Sequence, residues 1–199
     1  PIEVDQKKEV YGYFTNVNLG FKDMLYLDLV GRIDISSALP VNDNTYPYYG
    51  VSLGYVFSEM LDAPFLNYGK VRVNYAEVGN DTDPERTEVS YVRNDNFGSS
   101  ILFSYPTYVN NPDLVPENLK SWEAGLEMTM VDSRLTLDLA FYKTNAFNQI
   151  VEVELSKATG THFLYLNGGE IENKGVEASL GFDIIKGGNT GLTWNATVN

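Results

Sequence analysis

Apolar and polar residues alternate through positions 119–143 in two runs separated by a short polar segment. The apolar positions are Trp122, Ala124, Leu126, Met128 and Met130 in the first run, and Leu135, Leu137, Leu139 and Phe141 in the second. Because successive side chains of a β-strand point to opposite faces, each run predicts a strand with one apolar and one mostly polar face. Residues 131–134 are short and polar enough to join the two strands as a hairpin.

The same alternation recurs along the chain and predicts eight strands. They cover residues 10–21, 25–35, 49–57, 70–78, 119–130, 135–143, 175–184 and 192–198. Prolines and asparagines mark 36–48 as a loop, and the connection at 58–69 has room for one helical turn. Short and long connections alternate, and the longest are at 79–118 and 144–169. Outer-membrane barrels have this rhythm, because their tight turns are periplasmic and their long loops external.

Aromatic residues of the apolar faces lie towards the strand ends, while leucine and valine fill the centres. They are Tyr11, Tyr13, Phe21, Tyr49, Tyr55, Phe57, Trp122, Phe141 and Trp194. An aromatic girdle at the level of lipid headgroups has this distribution. A strand of about 10–12 residues, tilted by about 45°, is roughly 25 Å high, which matches the apolar band of such barrels. We therefore expect an all-β fold, an antiparallel up-and-down transmembrane β-barrel, of which this chain supplies about eight strands.

Charged residues on the opposite strand faces are expected to line a wet lumen. They are Asp28, Arg32, Asp34, Arg72, Glu123, Glu127, Asp138 and Glu177. In an enclosed soluble core such groups would be costly, whereas a lumen or a plug domain accommodates them. A soluble sheet with one solvated face gives the same alternation, so this pattern alone leaves both architectures open. Glu123 and Glu127 could form a glycosidase pair, but acidic residues recur on nearly every strand, and we predict no catalytic residue.

Composition narrows the classes of function. The chain has 27 acidic and 14 basic residues, for a formal net charge of −13. This argues against nucleic acid as a partner, because phosphates are contacted mainly by basic side chains. Cysteine is absent, which excludes disulfides and thiolate metal sites. No apolar run approaches the roughly 20 residues of a membrane helix, and we expect no cofactor.

Two features resemble metal sites only in part. Residues 80–85 carry oxygen ligands in the manner of a calcium loop, but Arg86 stands where an EF-hand requires glycine. An irregular calcium site in this loop stays open. His162 is the only histidine of the chain, so no zinc site is predicted. We interpret it as a loop residue or a ligand contact.

Aromatic residues in the predicted loops are candidate ligand contacts, because their rings can stack on sugars or pack against peptide side chains. The candidates are Tyr46, Tyr48, Phe97, Tyr105, Tyr108, His162, Phe163 and Tyr165. Packing among the loop aromatics themselves is the alternative for each of them. We expect the loops at 80–118 and 145–169 to be external.

Five strings, in order along the chain, resemble consecutive barrel segments of the SusC/RagA family of TonB-linked outer-membrane transporters. They are GVSLGYVFSE at 50–59, KVRVNYAEVGND at 70–81, NPDL at 111–114 leading to WEAGL at 122–126, RLTLDLAFYKT at 134–144, and NGGEIENKGVE at 167–177. The last string is the most specific, and the resemblance covers roughly 11–199. One departure is RIDISS at 32–37, where the family often reads Arg-x-Asp-Gly-Ser-Ser.

The resemblance implies TonB-dependent import of oligosaccharides or peptides across the outer membrane of a Gram-negative bacterium, by a multi-pass β-barrel. It also implies a plug, a TonB-contacting segment and a SusD-like surface lipoprotein over the external mouth. On this interpretation residues 1–199 are one segment of the barrel domain, without the plug, the TonB segment or the terminal strands. A soluble carbohydrate-binding or hydrolytic β-sandwich is the alternative, and a porin-like or autotransporter barrel without TonB coupling is a third.

Overall fold

The computed structural model describes residues 7–88, 90–187 and 191–199, and β-strands dominate it. The strands of these ranges are β1 (Val10–Phe21), β2 (Leu25–Ser36), β3 (Thr45–Val56), β4 (Leu66–Asn80), β5 (Val92–Phe97), β6 (Ser100–Ser104), β7 (Tyr108–Val109), β8 (Glu117–Met130), β9 (Leu135–Phe147), β10 (Ile150–Glu154), β11 (Phe163–Asn167), β12 (Ile171–Ile185) and β13 (Trp194–Val198). Single turns of 3-10 helix lie at Phe57–Glu59 and Lys157–Thr159. No helix in the described ranges is long and apolar enough to span a membrane.

Eight strands form the main sheet, in the order β1-β2-β3-β4-β8-β9-β12-β13. All neighbours in this sheet are antiparallel, and each strand pairs with the next main strand along the chain. The predicted hairpin at 119–143 is present as β8 and β9, which pair from Asn118–Phe147 to Met130–Leu135. The sheet therefore has the up-and-down topology that the sequence predicts.

The register places apolar residues beside apolar residues across the main sheet. One such row, read from β1 to β12, consists of Leu19, Leu27, Leu53, Val73, Ala124, Phe141 and Val176. A slip of one residue on any strand would move its apolar side chains to the other face. The alternation thus disfavours any slip of one residue and gives the sheet one apolar face and one polar face.

No second layer covers the apolar face among the described residues. Leu19 is 56% exposed, Leu53 43% and Val176 73%. Within the described ranges the buried apolar side chains are only those of Ala38, Leu39, Val56 and Leu114. A β-sandwich would bury one face of this sheet against a second sheet. The described residues therefore form no sandwich, and a sheet with one uncovered apolar face is what the wall of a transmembrane barrel presents.

Aromatic side chains form a belt on the apolar face near the end of the sheet that carries the long connections. The ring centroid of Tyr49 on β3 lies 5.8 Å from that of Tyr75 on β4, which in turn lies 4.4 Å from that of Trp122 on β8. The planes of neighbouring rings are inclined by 48° and 46°. These three rings, called the aromatic belt below, confirm the predicted girdle at this end and add Tyr75 to it.

Several strand boundaries differ from the sequence prediction. β3 begins at Thr45 and not at Tyr49, because residues 45–48 continue the pairing with β2. β4 spans 15 residues and extends beyond 70–78 at both ends, and β13 begins at Trp194. The predicted turn at 186–191 lies partly outside the described residues. Backbone pairing continues past the last alternating side chain, so polarity alone underestimates strand length.

The longest connections lie at one end of the main sheet, but the predicted alternation of short and long connections is weak among the first four strands. Residues 37–44 form an eight-residue connection and residues 57–65 a nine-residue one, which contains the helical turn that the sequence allows. Residues 81–116 and 148–170 form the two longest connections, at the same end as 37–44. Only the second half of the sheet therefore alternates clearly between short and long connections.

The two longest connections contain strands that the sequence analysis missed. β5 and β6 form a hairpin, while β10, β11 and β7 form a small three-stranded sheet. In that sheet β7 runs parallel to β11, with Tyr108 opposite Phe163 and Val109 opposite Leu164. Since β7 belongs to one connection and β11 to the other, the pairing ties the two together.

Candidate functional site

Arg72 on β4 is the centre of an ion-pair network on the polar face. Its Nε lies 3.0 Å from Glu123 Oε1, its Nη1 2.5 Å from Glu127 Oε1 and its Nη2 3.2 Å from Asp138 Oδ1. Gly125 lies directly opposite on β8, and a Cβ there would be 2.5 Å from Arg72 Cζ. The glycine thus leaves room for the guanidinium, which joins carboxylates from two neighbouring strands.

Hydrogen bonds extend the polar face on one side of this network. Ser52 Oγ donates to Asn74 Oδ1 at 2.7 Å, and Asn74 Nδ2 donates to Glu123 Oε1 at 3.4 Å. Further along, Asn18 on β1 donates to Asp28 on β2. Polar side chains therefore contact one another across strand boundaries, as expected on a wet surface.

A cavity of about 530 Å³ opens on the other side of the network, and Glu177 lines it together with Arg72, Asp138 and Ser179. The register places all the polar residues that the sequence assigned to a lumen on this same face of the main sheet. They are Asp28, Arg32, Asp34, Arg72, Glu123, Glu127, Asp138 and Glu177.

A second polar cluster lies where β2 and β3 approach the long connections. Arg32 Nε donates to Asp34 Oδ1 at 2.8 Å, and the Tyr48 hydroxyl donates to the other carboxylate oxygen. The ring centroids of Tyr46 and Tyr48 are 6.1 Å apart. Tyr46 lies against Gly79, where a Cβ would be 2.7 Å from the ring. The prediction that Tyr46 and Tyr48 are loop residues is wrong, because both belong to β3.

Three of the predicted loop aromatics form a ring cluster where β7 meets β11. The Tyr108 ring is stacked with Phe163 at 5.1 Å and with Tyr165 at 5.6 Å, centroid to centroid. The guanidinium of Arg86 lies 4.6 Å from the centre of the Tyr165 ring, a cation–π contact. Burial raises the pKa of the Tyr165 phenol, although the nearby Arg86 opposes that shift.

An open pocket of about 360 Å³ lies beside the ring cluster. The Asp83 carboxylate accepts a hydrogen bond from Arg86. Asn110 Nδ2 donates to the carbonyls of Glu85 and Glu88, at 2.5 Å and 2.7 Å, which fixes this side chain at the pocket edge. A carboxylate, a guanidinium and tyrosine hydroxyls thus surround the pocket, and such groups can orient a polar ligand.

Asn167, at the end of β11, joins the two long connections. Its Oδ1 accepts from the Val115 N–H at 2.9 Å, and its Nδ2 donates to the carbonyls of Val115 and Asn148, at 2.7 Å and 2.8 Å. Leu114, which precedes Val115 in the chain, is fully buried. Two strings that carry the family resemblance, one ending at Leu114 and one beginning at Asn167, therefore meet in space.

The other predicted ligand contacts do not join the ring cluster as stacked members. The ring of His162 meets Phe163 edge-on at 6.3 Å. Phe97 is 80% exposed at the end of β5, and the Tyr105 ring lies 5.7 Å from Tyr91. Phe97 therefore belongs to the β5–β6 hairpin and Tyr105 directly follows it, and neither ring stacks in the ring cluster.

The sequence analysis did not identify Asp83 or Asn110 as ligand contacts and used Arg86 only to reject an EF-hand. Nothing in the spacing of these residues indicates a site, since the folding of the long connection brings them together. In the calcium-like loop Asp81 lies 2.5 Å from Lys8. Over the ranges that the structure describes, no group of three or more His, Cys, Asp or Glu residues could hold a metal ion.

Comparison with known proteins identifies relatives of the whole sheet. The family model described as "TonB dependent receptor-like, beta-barrel" matches residues 3–199. "TonB-dependent receptor P26" of Formosa agariphila is 29% identical over 200 residues, which cover 96% of this chain and 20% of that protein. "TonB-dependent receptor P39" of the same organism is 24% identical over 94% of this chain and 18% of its own length. The chain therefore spans about a fifth of these relatives.

Solved structures show the same fold. The structure of the RagAB peptide importer in the "closed-closed" state superposes with a TM-score of 0.82 and 23% identity, over 89% of this chain and 20% of that one. The siderophore receptor PirA from Pseudomonas aeruginosa superposes with a TM-score of 0.66 and 15% identity, over 96% and 33%. These agree with the up-and-down sheet. The chain belongs to the TonB-dependent receptor β-barrel family, in keeping with its resemblance to SusC/RagA transporters.

Proposed function

We propose that this chain forms part of the barrel wall of a transporter that imports oligosaccharides or peptides, driven through TonB. The two-sided main sheet is the observation that carries the proposal. Its apolar face has no cover within the described residues and bears the aromatic belt, while its polar face bears the ion pairs around Arg72. A barrel with lipid outside and water inside requires this arrangement.

The proposed location is the outer membrane of a Gram-negative bacterium, as a multi-pass β-barrel. The main strands β1 to β4 have 12 to 15 residues, enough to cross an apolar band of about 25 Å when tilted by about 45°. The aromatic belt then lies at the level of the outer headgroups, and the connections at 81–116 and 148–170 lie outside the cell. The polar face lines the lumen.

Under this proposal the substrate meets the ring cluster and its pocket first. Tyr108, Tyr165 and Arg86 offer flat rings and hydrogen-bond donors, which suit sugar rings and peptide side chains alike. Arg32 and Asp34 lie next along the polar face, followed by the network around Arg72. RagAB, one of the proteins of the same fold, is described as a peptide importer. Both substrate classes are therefore retained.

The proposed partners are a SusD-like surface lipoprotein, the TonB complex and outer-membrane lipid. The lipoprotein would lie over the external mouth, where the long connections are placed, and TonB would act through parts of the protein beyond this segment. The resemblance to SusC/RagA transporters supports both partners. No step of the proposal uses a cofactor or nucleic acid.

Catalysis is not part of the proposal. Glu123 and Glu127, the residues that could form a glycosidase pair, both contact the guanidinium of Arg72. Neither of them faces the 530 Å³ cavity that Glu177 lines. This geometry fits an ion-pair network in a barrel wall, and transport is the activity to measure.

Growth of a strain that lacks the full-length gene tests the proposal. The deletion strain should lose growth on one of two sole carbon sources, an oligosaccharide mixture or a peptide mixture, and the wild-type gene should restore it. The product should fractionate with the outer membrane and migrate faster on mild gels before heating than after. A soluble product without a heat shift would overturn the transporter assignment. Unchanged growth on both mixtures would overturn these two substrate classes.

Protease treatment of intact cells tests the placement of the long connections. Cleavage within 81–116 or 148–170 is expected, together with resistance of the main strands. If both connections stay intact while other surface proteins are cut, the external assignment is wrong. A gene product with no plug and no TonB-contacting segment would favour a porin-like barrel instead.

A further inference from the structure

Two exposed carboxylates flank the ring cluster of Tyr108, Phe163 and Tyr165. Glu152 on β10 is directly opposite Tyr165 on β11, and Glu154 is directly opposite Phe163. Residues that are directly opposite each other in an antiparallel pair share a face of the sheet. Both glutamates are exposed, and they therefore stand beside the rings on the same face of the small three-stranded sheet.

Asp83 adds a third carboxylate, at the mouth of the 360 Å³ pocket beside the rings. Its side chain is 69% exposed, whereas that of Arg86, with which it forms an ion pair, is 31% exposed. The guanidinium of Arg86 also lies 4.6 Å from the centre of the Tyr165 ring. The cation of this pair is therefore held against the ring, and the anion is the more exposed partner.

Basic residues around the ring cluster do not cancel its negative charge. The charged residues that line the pocket, flank the rings or lie in the turn between β10 and β11 are four acidic ones, Asp83, Glu85, Glu152 and Glu154, and two basic ones, Arg86 and Lys157. Lys8, which approaches from the segment before β1, forms an ion pair with Asp81. Together, 81–116 and 148–170 contain nine acidic and three basic residues. A surplus of negative charge therefore remains when the whole of both connections is counted.

Arg86 shows within the chain itself which chemical group this surface accommodates. An aromatic ring attracts a cation to its face, and a carboxylate forms a charge-assisted hydrogen bond with the same cation. Tyr165 and Asp83 hold the Arg86 guanidinium in this way. Glu152 and Glu154 stand beside further rings of the same cluster and have no cationic partner among the described residues. The combination of ring and carboxylate is thus repeated without its cation.

We infer that the ring cluster and its carboxylates bind a positively charged group of the imported substrate, an ammonium or a guanidinium. The pocket beside the rings has room for a side chain that carries such a group. The inference rests on the proposed import function and narrows its two substrate classes by charge. Peptides with lysine or arginine and oligosaccharides with free amino sugars carry the required group, whereas acidic peptides and acidic oligosaccharides are repelled.

Two pairs of probes test the inference on the purified full-length protein in detergent. The first pair is a pentapeptide with blocked ends and one central lysine, and the same peptide with that lysine acetylated. The second pair is a glucosamine oligomer and its N-acetylated form, at a pH where the amines are protonated. In at least one pair the charged probe should bind roughly tenfold more tightly than the neutral one. The pair that shows the difference identifies the source of the cation, and equal dissociation constants within both pairs would overturn the inference.

A double variant locates the effect in the ring cluster. Glu152→Gln/Glu154→Gln leaves the ion pair of Asp83 and Arg86 in place and should reduce the preference for the charged probe roughly threefold or more. The matched control is Asp43→Asn/Asp95→Asn, which changes the net charge equally at exposed positions in the 37–44 connection and on β5. Equal losses in the two double variants would mean that the overall charge of the protein acts, and the inference would be wrong.

Failure of this inference is distinguishable from failure of the proposed function. The probe measurements on wild-type protein do not depend on the folding of any variant, and the heat shift on gels shows whether each variant forms the barrel. A protein that fractionates with the outer membrane and supports growth, but binds charged and neutral probes equally, would be a transporter without this cation site. A soluble product without a heat shift would instead overturn the transporter assignment, and the inference with it.

Discussion

Arg72 occupies the space that a side chain at Gly125 would need. The two residues are directly opposite each other on β4 and β8, and a Cβ at position 125 would lie 2.5 Å from Arg72 Cζ and 2.6 Å from its Nε. The guanidinium is also held by Glu123, Glu127 and Asp138. It cannot swing aside without losing ion pairs, so this glycine is required by the network and not by its backbone conformation.

Gly125→Ala is expected to destabilise the folded barrel, because the new methyl group displaces Arg72 from its carboxylates. Overpacking of this kind costs about 1–3 kcal/mol. The measurement is the temperature at which the full-length protein loses its heat-sensitive gel mobility. Gly20→Ala on β1 is the control, since the nearest atoms of Tyr26 are 3.8 Å from its Cβ position. Equal shifts for the two variants would contradict the steric argument.

Arg72→Gln is expected to weaken the barrel by leaving three carboxylates close together. Their side chains are 34% to 50% exposed, so the loss of each ion pair should lower the free energy of unfolding by only about 0.2–1 kcal/mol. The denaturant midpoint of the full-length protein should fall, and a second change, Glu127→Gln, should restore part of the loss. If the double variant is as unstable as the sum of the single ones, the residues are not coupled.

Leu53 and Ser52 are neighbours on β3 that point to opposite faces, and they provide a matched test of which face meets lipid. Leu53→Arg should reduce outer-membrane assembly, because an arginine facing the bilayer midplane costs about 2–4 kcal/mol. Ser52→Arg should be tolerated much better, since it faces the polar side. The amount of heat-modifiable protein in the outer-membrane fraction is the readout. Reversed effects would mean that the two faces are assigned wrongly.

Tyr165→Ala is expected to weaken substrate binding about tenfold, a loss of roughly 1.4 kcal/mol. The change removes the ring that stacks with Tyr108 and that lies under Arg86. Tyr165→Phe should retain most of the affinity because it keeps the ring. Phe97→Ala, on the separate β5–β6 hairpin, is the control that should bind normally. The measurement is the dissociation constant, obtained by titrating the full-length protein with the imported oligosaccharide or peptide. Equal affinity of Tyr165→Ala and wild type would show that the ring cluster does not bind the substrate.

Asn167→Ala is expected to loosen both long connections while the main sheet stays folded. The backbone groups of Val115 and Asn148 would lose their partner, at a cost of about 1–3 kcal/mol for the unsatisfied groups. Limited proteolysis should then cut within 81–116 and 148–170 faster than in wild type. Asn145→Ala removes one bond to the exposed Glu170 and serves as the control. Identical digestion patterns would show that Asn167 does not join the connections.

The main sheet was predictable because its alternation is long and its faces differ in polarity. Leu19, Leu27 and Leu53 share a face in the observed register, and a slip of one residue on any of their strands would separate them. The start of β3 was not predictable in this way, because Tyr46-Pro47-Tyr48 reads as loop and is a strand only through its pairing with β2. The polar residues share the opposite face for the same reason, and their place in a lumen stays a prediction.

The candidate site was less predictable than the sheet. Tyr108 and Phe163 could be identified as aromatic residues in loops, but their contact depends on a two-residue parallel pairing between segments far apart in sequence. Asn110 gave no local signal, and Asp83 was noted only as part of the calcium-like loop at 80–85. Arg86 was noted only because it occupies the position where an EF-hand requires glycine. Short pairings between distant loops leave no periodic pattern, and the residues that they assemble are therefore hidden from sequence reasoning.

The parallel pairing of β7 with β11 has a consequence for the entropy of ligand capture. Free loops of this length would lose conformational freedom whenever a ligand ordered them, which would weaken binding. Here the pairing of Tyr108 with Phe163 and the bonds of Asn167 have already closed the two connections during folding. A ligand therefore meets rings that are set in place beforehand, and most of its contact energy remains available as affinity.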